Sequence, residues 1–153
     1  MLASPILVVC DGNLCRSPFA EACLSRALSD AGVYAEVFSR GLLDIGNHPV
    51  PEAALRVAGD FGIDLSAHRS VHISPEDVQR AALVMVMSER QRRHLGRLNP
   101  AGIGKVFLLS QAEGGTDVPD PVGQSEAVFQ QVYGEIRHLV DVWLQRFGLA
   151  APG

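Results

Sequence analysis

Residues 10–18, Cys-Asp-Gly-Asn-Leu-Cys-Arg-Ser-Pro, constrain the fold of this chain more than any other segment. The apolar run 6–9 precedes them and a segment of helical periodicity follows, so they predict a tight loop between a buried strand and a helix. Gly12 adopts a positive φ at little cost, and Asn13 tolerates it better than most residues. The backbone N–H groups of such a loop can converge on one point, where a helix N-terminus adds partial positive charge. The segment therefore predicts an anion-binding site.

Two side chains give this predicted site its chemistry. Arg16 carries a planar guanidinium that can hold two phosphate oxygens at once. The loop amides, the helix dipole and Arg16 all favour the thiolate form of Cys10. We therefore predict a cysteine nucleophile beneath a bound phosphate. The alternative is that Cys10 is a small buried residue that ends a strand, as free cysteines often are.

The segment resembles the N-terminal signature of the low-molecular-weight protein tyrosine phosphatases, a family that includes related arsenate reductases. Residues 9–18 match that signature, and Asp120-Pro121 matches the acid loop of the family near the C-terminus. The similarity runs from about Pro5 to Phe147. It implies hydrolysis of phosphotyrosine or a similar aryl phosphate through a phosphocysteine intermediate, with no cofactor and no metal.

The predicted reaction needs an acid, because transfer of the phosphoryl group to Cys10 expels an alkoxide or a phenoxide. A positioned acid is typically worth about 10²–10⁴ in rate. Asp117 and Asp120 both lie in the loop 117–121, where they could equally serve only to solubilise a turn. Asp120 is the predicted acid, because Pro121 restricts its backbone and the pair matches the family acid. Asp117 is the alternative.

Several further residues are predicted to shape the site. Ser17 is placed to donate a hydrogen bond to the Cys10 thiolate or to cap the helix, and these roles are compatible. Asp11 is expected to point away from the pocket, because a carboxylate there would oppose the thiolate and the substrate. The predicted phosphate-binding and supporting residues are Asp11, Gly12, Asn13, Leu14, Cys15, Ser17, Ser39 and His68.

The resemblance supplies three of these roles. It implies that Asn13, Ser39 and His68 form a hydrogen-bond network that holds the loop, although His68 taken alone would be a solvent-facing loop residue. Cys15 could form a reversible disulfide with Cys10, which would protect the nucleophile from irreversible oxidation. Simple packing beneath the loop explains Cys15 equally well.

Strand-like and helix-like patterns alternate along the chain, which predicts an α/β fold with helices on both faces of a parallel sheet. The predicted strands are 6–9, 33–39, 81–87 and 105–109. The resemblance implies four parallel strands in the order 2-1-3-4, with the phosphate-binding loop after strand 1. Ligands of such sheets bind beyond the carboxyl ends of the strands, where Cys10 would lie.

Composition limits the remaining classes of function. The 153 residues are expected to form one domain, 1–153. A net charge of −4 gives no general attraction to nucleic acid or to an anionic membrane, and the longest apolar run, 81–87, is too short to span a bilayer. Three cysteines do not make a secreted disulfide framework, and no Cys or His cluster has zinc spacing. A cytoplasmic enzyme without a metal is the prediction.

Departures from the family pattern bear on the choice of substrate. Leu42 stands where many relatives have Thr. Val122 stands where an aromatic residue is common, and the loop 42–49 has no aromatic residue, so we expect less stacking on a phosphotyrosine ring. An arsenate reductase would share the anion loop, but its relatives carry further redox cysteines near the third strand, where this chain has none. A phosphate-binding regulatory module is a third possibility. The expected partners are a phosphotyrosine protein or an aryl phosphate, with a tyrosine kinase as the enzyme to be opposed.

Overall fold

A computed structural model describes residues 2–149 of the chain. The predicted domain 1–153 extends at both ends beyond these described residues. The elements, in chain order, are β1 (Ile6–Cys10), α1 (Arg16–Asp30), β2 (Val37–Gly41), α2 (Glu52–Asp60), α3 (Pro75–Arg80), β3 (Leu83–Val86), α4 (Glu89–Leu98), β4 (Val106–Leu108) and α5 (Glu126–Arg146). No helix within residues 2–149 has both the length and the apolar character needed to cross a bilayer.

The strands form one four-stranded sheet in the order β2-β1-β3-β4, and every pairing is parallel. This confirms the predicted α/β class and the strand order. Cys10 lies opposite Gly41 of β2, and Val9 lies opposite Val86 of β3. The last residue of β1 therefore stands at the carboxyl edge of the sheet, between its two neighbours.

The central strand β1 is apolar throughout because both of its faces are covered. Ile6, Val8 and Cys10 belong to the core between the sheet and the layer of α1 and α5, whereas Leu7 and Val9 belong to the core on the other face. All five residues of β1 are buried. A strand held on two faces and both edges gives the reactive cysteine a fixed position.

The second strand begins later than the sequence pattern predicts. The prediction was 33–39, but β2 runs from Val37 to Gly41. Gly32 has a φ of 75°, and the N–H of Val33 donates to the carbonyl of Leu28, so these residues complete the end of α1. Pairing with β1 starts only at Val37, opposite Ile6. The strand also ends later than predicted, at Gly41 opposite Cys10, and its end therefore lies beside the loop that follows Cys10.

Candidate active site

The loop between Cys10 and Arg16 packs directly on the end of β2. A Cβ atom on Gly41 would lie 2.9 Å from three backbone atoms of the loop, one each in Asp11, Gly12 and Asn13. This position therefore accepts only glycine. The N–H of Leu42 donates to the carbonyl of Cys10 at 3.0 Å. The carboxyl end of β2 thus supports the loop from one side.

Asn13 fixes the shape of the loop. It has a φ of 55°, the one positive value among non-glycine residues in the described chain, and it is completely buried. Its Nδ2 group donates to Ser17 Oγ at 2.8 Å and to Ser39 Oγ at 2.9 Å. The backbone carbonyl oxygen of Asn13 accepts a hydrogen bond of 2.8 Å from His68 Nε2, and this nitrogen must therefore carry the proton. The structure brings together the residues of the expected network.

The same network determines which hydrogen bond Ser17 donates. Because Ser17 Oγ accepts from Asn13, its proton is free to point to Cys10 Sγ, 3.0 Å away. The backbone N–H of Ser17 also points to this sulfur, at 3.4 Å. Both groups of Ser17 therefore contact Cys10 Sγ and fix its position in the pocket.

Glu21 extends this network and was missed by the sequence analysis. Ser39 Oγ accepts from Asn13 and donates to Glu21 Oε1 at 2.6 Å. Glu21 follows Ser17 by four residues in α1, so both side chains lie on the helix face above the loop. This four-residue spacing from Ser17 is the sequence signal that could have identified Glu21 as part of the network. The acceptor carboxylate orients the Ser39 hydroxyl and leaves its oxygen for Asn13.

Arg16 begins α1 and is almost fully buried, with 5% of its side chain exposed. Its Nη1 donates to the carbonyl of Val118 at 2.9 Å. Its Nη2 lies 3.5 Å from Asp11 Oδ2 and 3.6 Å from Asp120 Oδ2. The guanidinium is therefore held on one side by a carbonyl, and on the other side it faces two carboxylates across the pocket.

The two candidate acids occupy different places. Asp120 Oδ1 accepts from the N–H of Val122 at 3.1 Å, which leaves Oδ2 on the side of Arg16. Asp117 Oδ1 instead accepts from the N–H of Glu89 at 3.1 Å, in the first turn of α4. Asp120 lines the pocket that contains Cys10, and Asp117 satisfies the start of a helix.

Ten residues line this pocket, and they include the predicted nucleophile, arginine and acid. Apolar side chains form much of its wall. Leu42 turns inward to the core instead. The lining residues are Cys10, Asp11, Gly12, Leu14, Cys15, Arg16, Leu43, Ile45, Asp120 and Val122.

Asp11 differs in part from its expected orientation. Its carboxylate turns toward α4, where Arg90 and Gln91 donate to it, yet it remains beside Arg16 and lines the pocket. Burial alone raises the pKa of this carboxyl, but the hydrogen bonds from Arg90 and Gln91 and the charges of Arg90 and Arg16 outweigh burial. The pKa of Asp11 is consequently lowered, and the group is ionised near neutral pH.

Cys15 lies buried under the loop as a free thiol. Burial, together with the charges of Cys10 and Asp120, raises its pKa to about 12. Tyr133 of α5 donates its hydroxyl to the carbonyl of Cys15 at 2.9 Å, and its ring stacks on Phe19 with centroids 3.9 Å apart. Cys15 therefore contributes packing and a backbone anchor, and its disulfide with Cys10 stays a prediction.

Replacing Asn13 by Ala is expected to destabilise the protein by about 2–4 kcal/mol, because alanine is strained at positive φ and because the buried side chain of Asn13 no longer bonds the Ser39 hydroxyl and the N–H of Val71. Asn13→Gly loses the same hydrogen bonds without the strain, so its unfolding free energy should lie between those of the wild type and Asn13→Ala. Urea denaturation measures both. Asn47→Ala, on an exposed loop, is the control and should change the unfolding free energy by less than about 0.5 kcal/mol. Equal stability of the glycine and alanine variants would show that the strain contributes nothing.

Comparison with known proteins places the chain among phosphatases. The family model for low molecular weight phosphotyrosine protein phosphatase matches residues 5–150. The probable low molecular weight protein-tyrosine-phosphatase EpsP of Ralstonia solanacearum is 36% identical over 141 residues, which cover 92% of this chain and 94% of EpsP.

Solved structures agree with this assignment. The tyrosine phosphatase Wzb from Escherichia coli K30, in complex with sulphate, has a TM-score of 0.89 and 29% identity, and the match covers 96% of this chain and 100% of that one. The YwlE arginine phosphatase, in a mutant with a phosphorylated active-site serine, has a TM-score of 0.87 and 27% identity over 94% of this chain and 95% of that one. The chain therefore belongs to the low molecular weight phosphotyrosine protein phosphatase family.

Proposed function

We propose that this chain is a protein tyrosine phosphatase that hydrolyses phosphotyrosine, or a similar aryl phosphate monoester, through a phosphocysteine intermediate at Cys10. The observation that carries the proposal is the placement of Cys10 Sγ 3.0 Å from the Ser17 hydroxyl, in a pocket that Arg16 and Asp120 also line. A nucleophile, a cation for the phosphate and an acid thus share one cavity. These are the groups that the two-step reaction requires.

In the first step, the Cys10 thiolate attacks phosphorus, and the bond from phosphorus to the aryl oxygen breaks. The loop N–H groups and Arg16 would stabilise the charge on the three non-bridging oxygens. Asp120, in its protonated form, donates its proton to the leaving oxygen. The products of this step are the aryl alcohol and a phosphocysteine, with Asp120 left as the carboxylate.

In the second step, water attacks the phosphocysteine and the sulfur–phosphorus bond breaks. Asp120 accepts the proton of the attacking water and is ready for another cycle. The departing sulfur becomes a thiolate again, and the Ser17 hydroxyl would stabilise it through the bond already present at 3.0 Å. Inorganic phosphate then leaves, and every proton is accounted for without a metal ion.

The pocket wall supports an aryl substrate. Four apolar side chains surround the mouth of the pocket: Leu14, Leu43, Ile45 and Val122. Two of them, Leu43 and Val122, are exposed to solvent. Such a wall would bury a phenyl ring by apolar contact, with less stacking than an aromatic wall provides. A phosphoguanidine would meet the same apolar groups with a polar, hydrogen-bonding substituent, so the wall favours the aryl ester.

Arsenate reduction is the weaker alternative. It would use Cys10 and the anion loop, and it would also need other cysteines to pass on a disulfide. Cys15 and Cys23 are both buried, and burial raises the pKa of each thiol to about 12. A thiol in that state is a poor nucleophile for disulfide exchange at neutral pH.

The expected protein substrates are phosphotyrosine proteins, including a tyrosine kinase whose autophosphorylation this enzyme would reverse. The odd number of cysteines fits a reducing compartment, so we place the activity in the cytoplasm. We also propose that residues 1–153 act as one domain.

Substrate comparison tests the proposal. We expect kcat/KM for a phosphotyrosine peptide to exceed that for the matched phosphoserine peptide by about 100-fold, because only the aryl ring reaches and fills the apolar mouth. The assay includes EDTA, a phosphoarginine peptide and arsenate with a thiol reductant. Faster hydrolysis of phosphoarginine would overturn the aryl assignment, and thiol-dependent loss of arsenate without phosphatase activity would overturn the hydrolase.

A further inference from the structure

The carboxylate of Asp11 is the least expected group in the anion site. It directly follows the nucleophile and lines the same pocket, where its negative charge opposes both the thiolate and a phosphate dianion. Asp120 adds a second carboxylate near the same Nη2 of Arg16, at 3.6 Å. Two carboxylates thus face one guanidinium, so the site needs another cation to hold an anion well.

Arg90 of α4 supplies that cation. Its Nη2 lies 2.7 Å from both carboxylate oxygens of Asp11, whereas Arg16 Nη2 lies 3.5 Å from Asp11 Oδ2. Charge-assisted bonds are typically about 2.7–2.9 Å long, so the strong partner of Asp11 is Arg90 and the contact with Arg16 is weak. Arg16 consequently keeps its Nη2 available for a substrate oxygen.

Gln91, the next residue of α4, fixes the carboxylate from the interior. Its side chain is completely buried, and its Oε1 accepts from the N–H of Met87 at 2.7 Å. An amide whose oxygen accepts from a backbone N–H must direct its nitrogen the other way, and Nε2 reaches Asp11 Oδ1 at 2.9 Å. The end of β3 and the start of α4 therefore hold Asp11 through a rigid donor.

We propose that Arg90 is a positioning residue of the phosphate-binding loop, which acts through Asp11 to neutralise that carboxylate and keep Arg16 free for the substrate. The inference rests on the proposed function. Without Arg90, the charge of Asp11 would be uncompensated, and Arg16 would be its nearest remaining cation. Asp11 would then move onto Arg16 and compete with phosphate for it.

Other charged and titratable groups near Cys10 also influence the binding of an anion, and those outside the pair of Arg90 and Asp11 must stay unchanged in any test. The loop contributes Asp11, the start of α1 contributes Cys15 and Arg16, the acid loop contributes Asp120, and α4 reaches Asp11 through Arg90. Tyr133 contacts the backbone of Cys15, and burial raises the pKa of its hydroxyl above the ordinary value. Of these groups, only Arg90 and Asp11 change in the variants below.

A double-mutant cycle tests the proposal. Arg90→Gln should weaken the binding of inorganic phosphate by about fivefold, with binding measured as the protection of Cys10 from iodoacetamide. The loss of affinity should be smaller in 1 M salt, where the Debye length is about 3 Å. The same change made in an Asp11→Asn background should have less than about a twofold effect, because no carboxylate then needs neutralising. Arg93→Gln, on the exposed surface of the same helix, is the matched control.

Two outcomes would overturn the inference. One is an Arg90→Gln effect equal to that of Arg93→Gln, and the other is a full effect that persists with Asn at position 11, which would mean that Arg90 acts on the anion directly. Alkylation and phosphate protection need no turnover. A wild-type protein that hydrolyses no ester would therefore defeat the proposed function and leave this cycle readable.

Discussion

Cys10→Ser is expected to reduce the hydrolysis of p-nitrophenyl phosphate by at least about 10⁴-fold. A serine hydroxyl ionises far less readily than a thiol, and the helix N-terminus, the loop amides and the Ser17 hydroxyl do not supply enough stabilisation to make an alkoxide near neutral pH. The shape of the anion site depends on Asn13 and Gly41, which this change leaves in place. Affinity for inorganic phosphate should therefore stay within about threefold of the wild type.

Steady-state kinetics and phosphate binding by calorimetry measure the two effects separately. Cys23→Ala is the control, because Cys23 lies in the core between α1 and α5, outside the pocket, and should keep its activity. Retention of more than a few per cent of the wild-type rate by Cys10→Ser would refute the covalent mechanism. Loss of phosphate binding in the same variant would instead point to a damaged loop.

Local sequence carried the prediction of the loop. Gly12 and Asn13 are the two positions at which the sequence allows a positive φ, and the structure has it at Asn13, with a φ of 55°, and not at Gly12. The apolar run of β1 predicted its burial on both faces, since only a covered central strand needs no polar side chain. Residues close in sequence therefore defined the anion site and its place at the edge of the sheet.

Contacts between distant segments could not be found in this way. Asp11 and Arg90 are 79 positions apart, and they meet only because β1 and β3 pair in register and α4 starts just beyond β3. The exposed arginines of α4 have the pattern of a solvated helix face, so the sequence does not indicate that Arg90 among them contacts the loop. The start of β2 was likewise set by its partner strand, since Val37 is where pairing with Ile6 begins.

The choice between the two acids shows the same limit. Composition and spacing leave Asp117 and Asp120 as candidates, and only the neighbouring Pro121 and the family resemblance rank them. In the fold, the N–H of Val118 donates to the carbonyl of Met87 at 2.8 Å, which fixes the acid loop to the end of β3. This anchor turns Asp117 to α4 and Asp120 to Arg16. The backbone contact of Val118 with Met87 therefore decides the different positions of the two acids.

Asp120→Asn is expected to lower kcat for phenyl phosphate by about 10²–10³-fold, because the phenolate must then leave without a proton. The loss should be smaller for p-nitrophenyl phosphate, whose leaving group is stable as an anion. An amide of the same shape keeps the bond from the N–H of Val122, so the loop should remain in place. The dependence of the loss on the leaving group separates an acid from a residue that only supports the pocket.

Asp117→Asn provides the matched comparison in the same loop. Its side chain accepts from the N–H of Glu89, and asparagine also satisfies a helix start, so kcat should stay within about threefold for both esters. Stopped-flow kinetics with the two esters yields the rates of phosphoryl transfer directly. A loss in Asp120→Asn that is equal for phenyl and p-nitrophenyl phosphate would exclude protonation of the leaving group as the role of Asp120. A leaving-group-dependent loss in Asp117→Asn would move that role to Asp117, which would then have to release α4 and turn into the pocket.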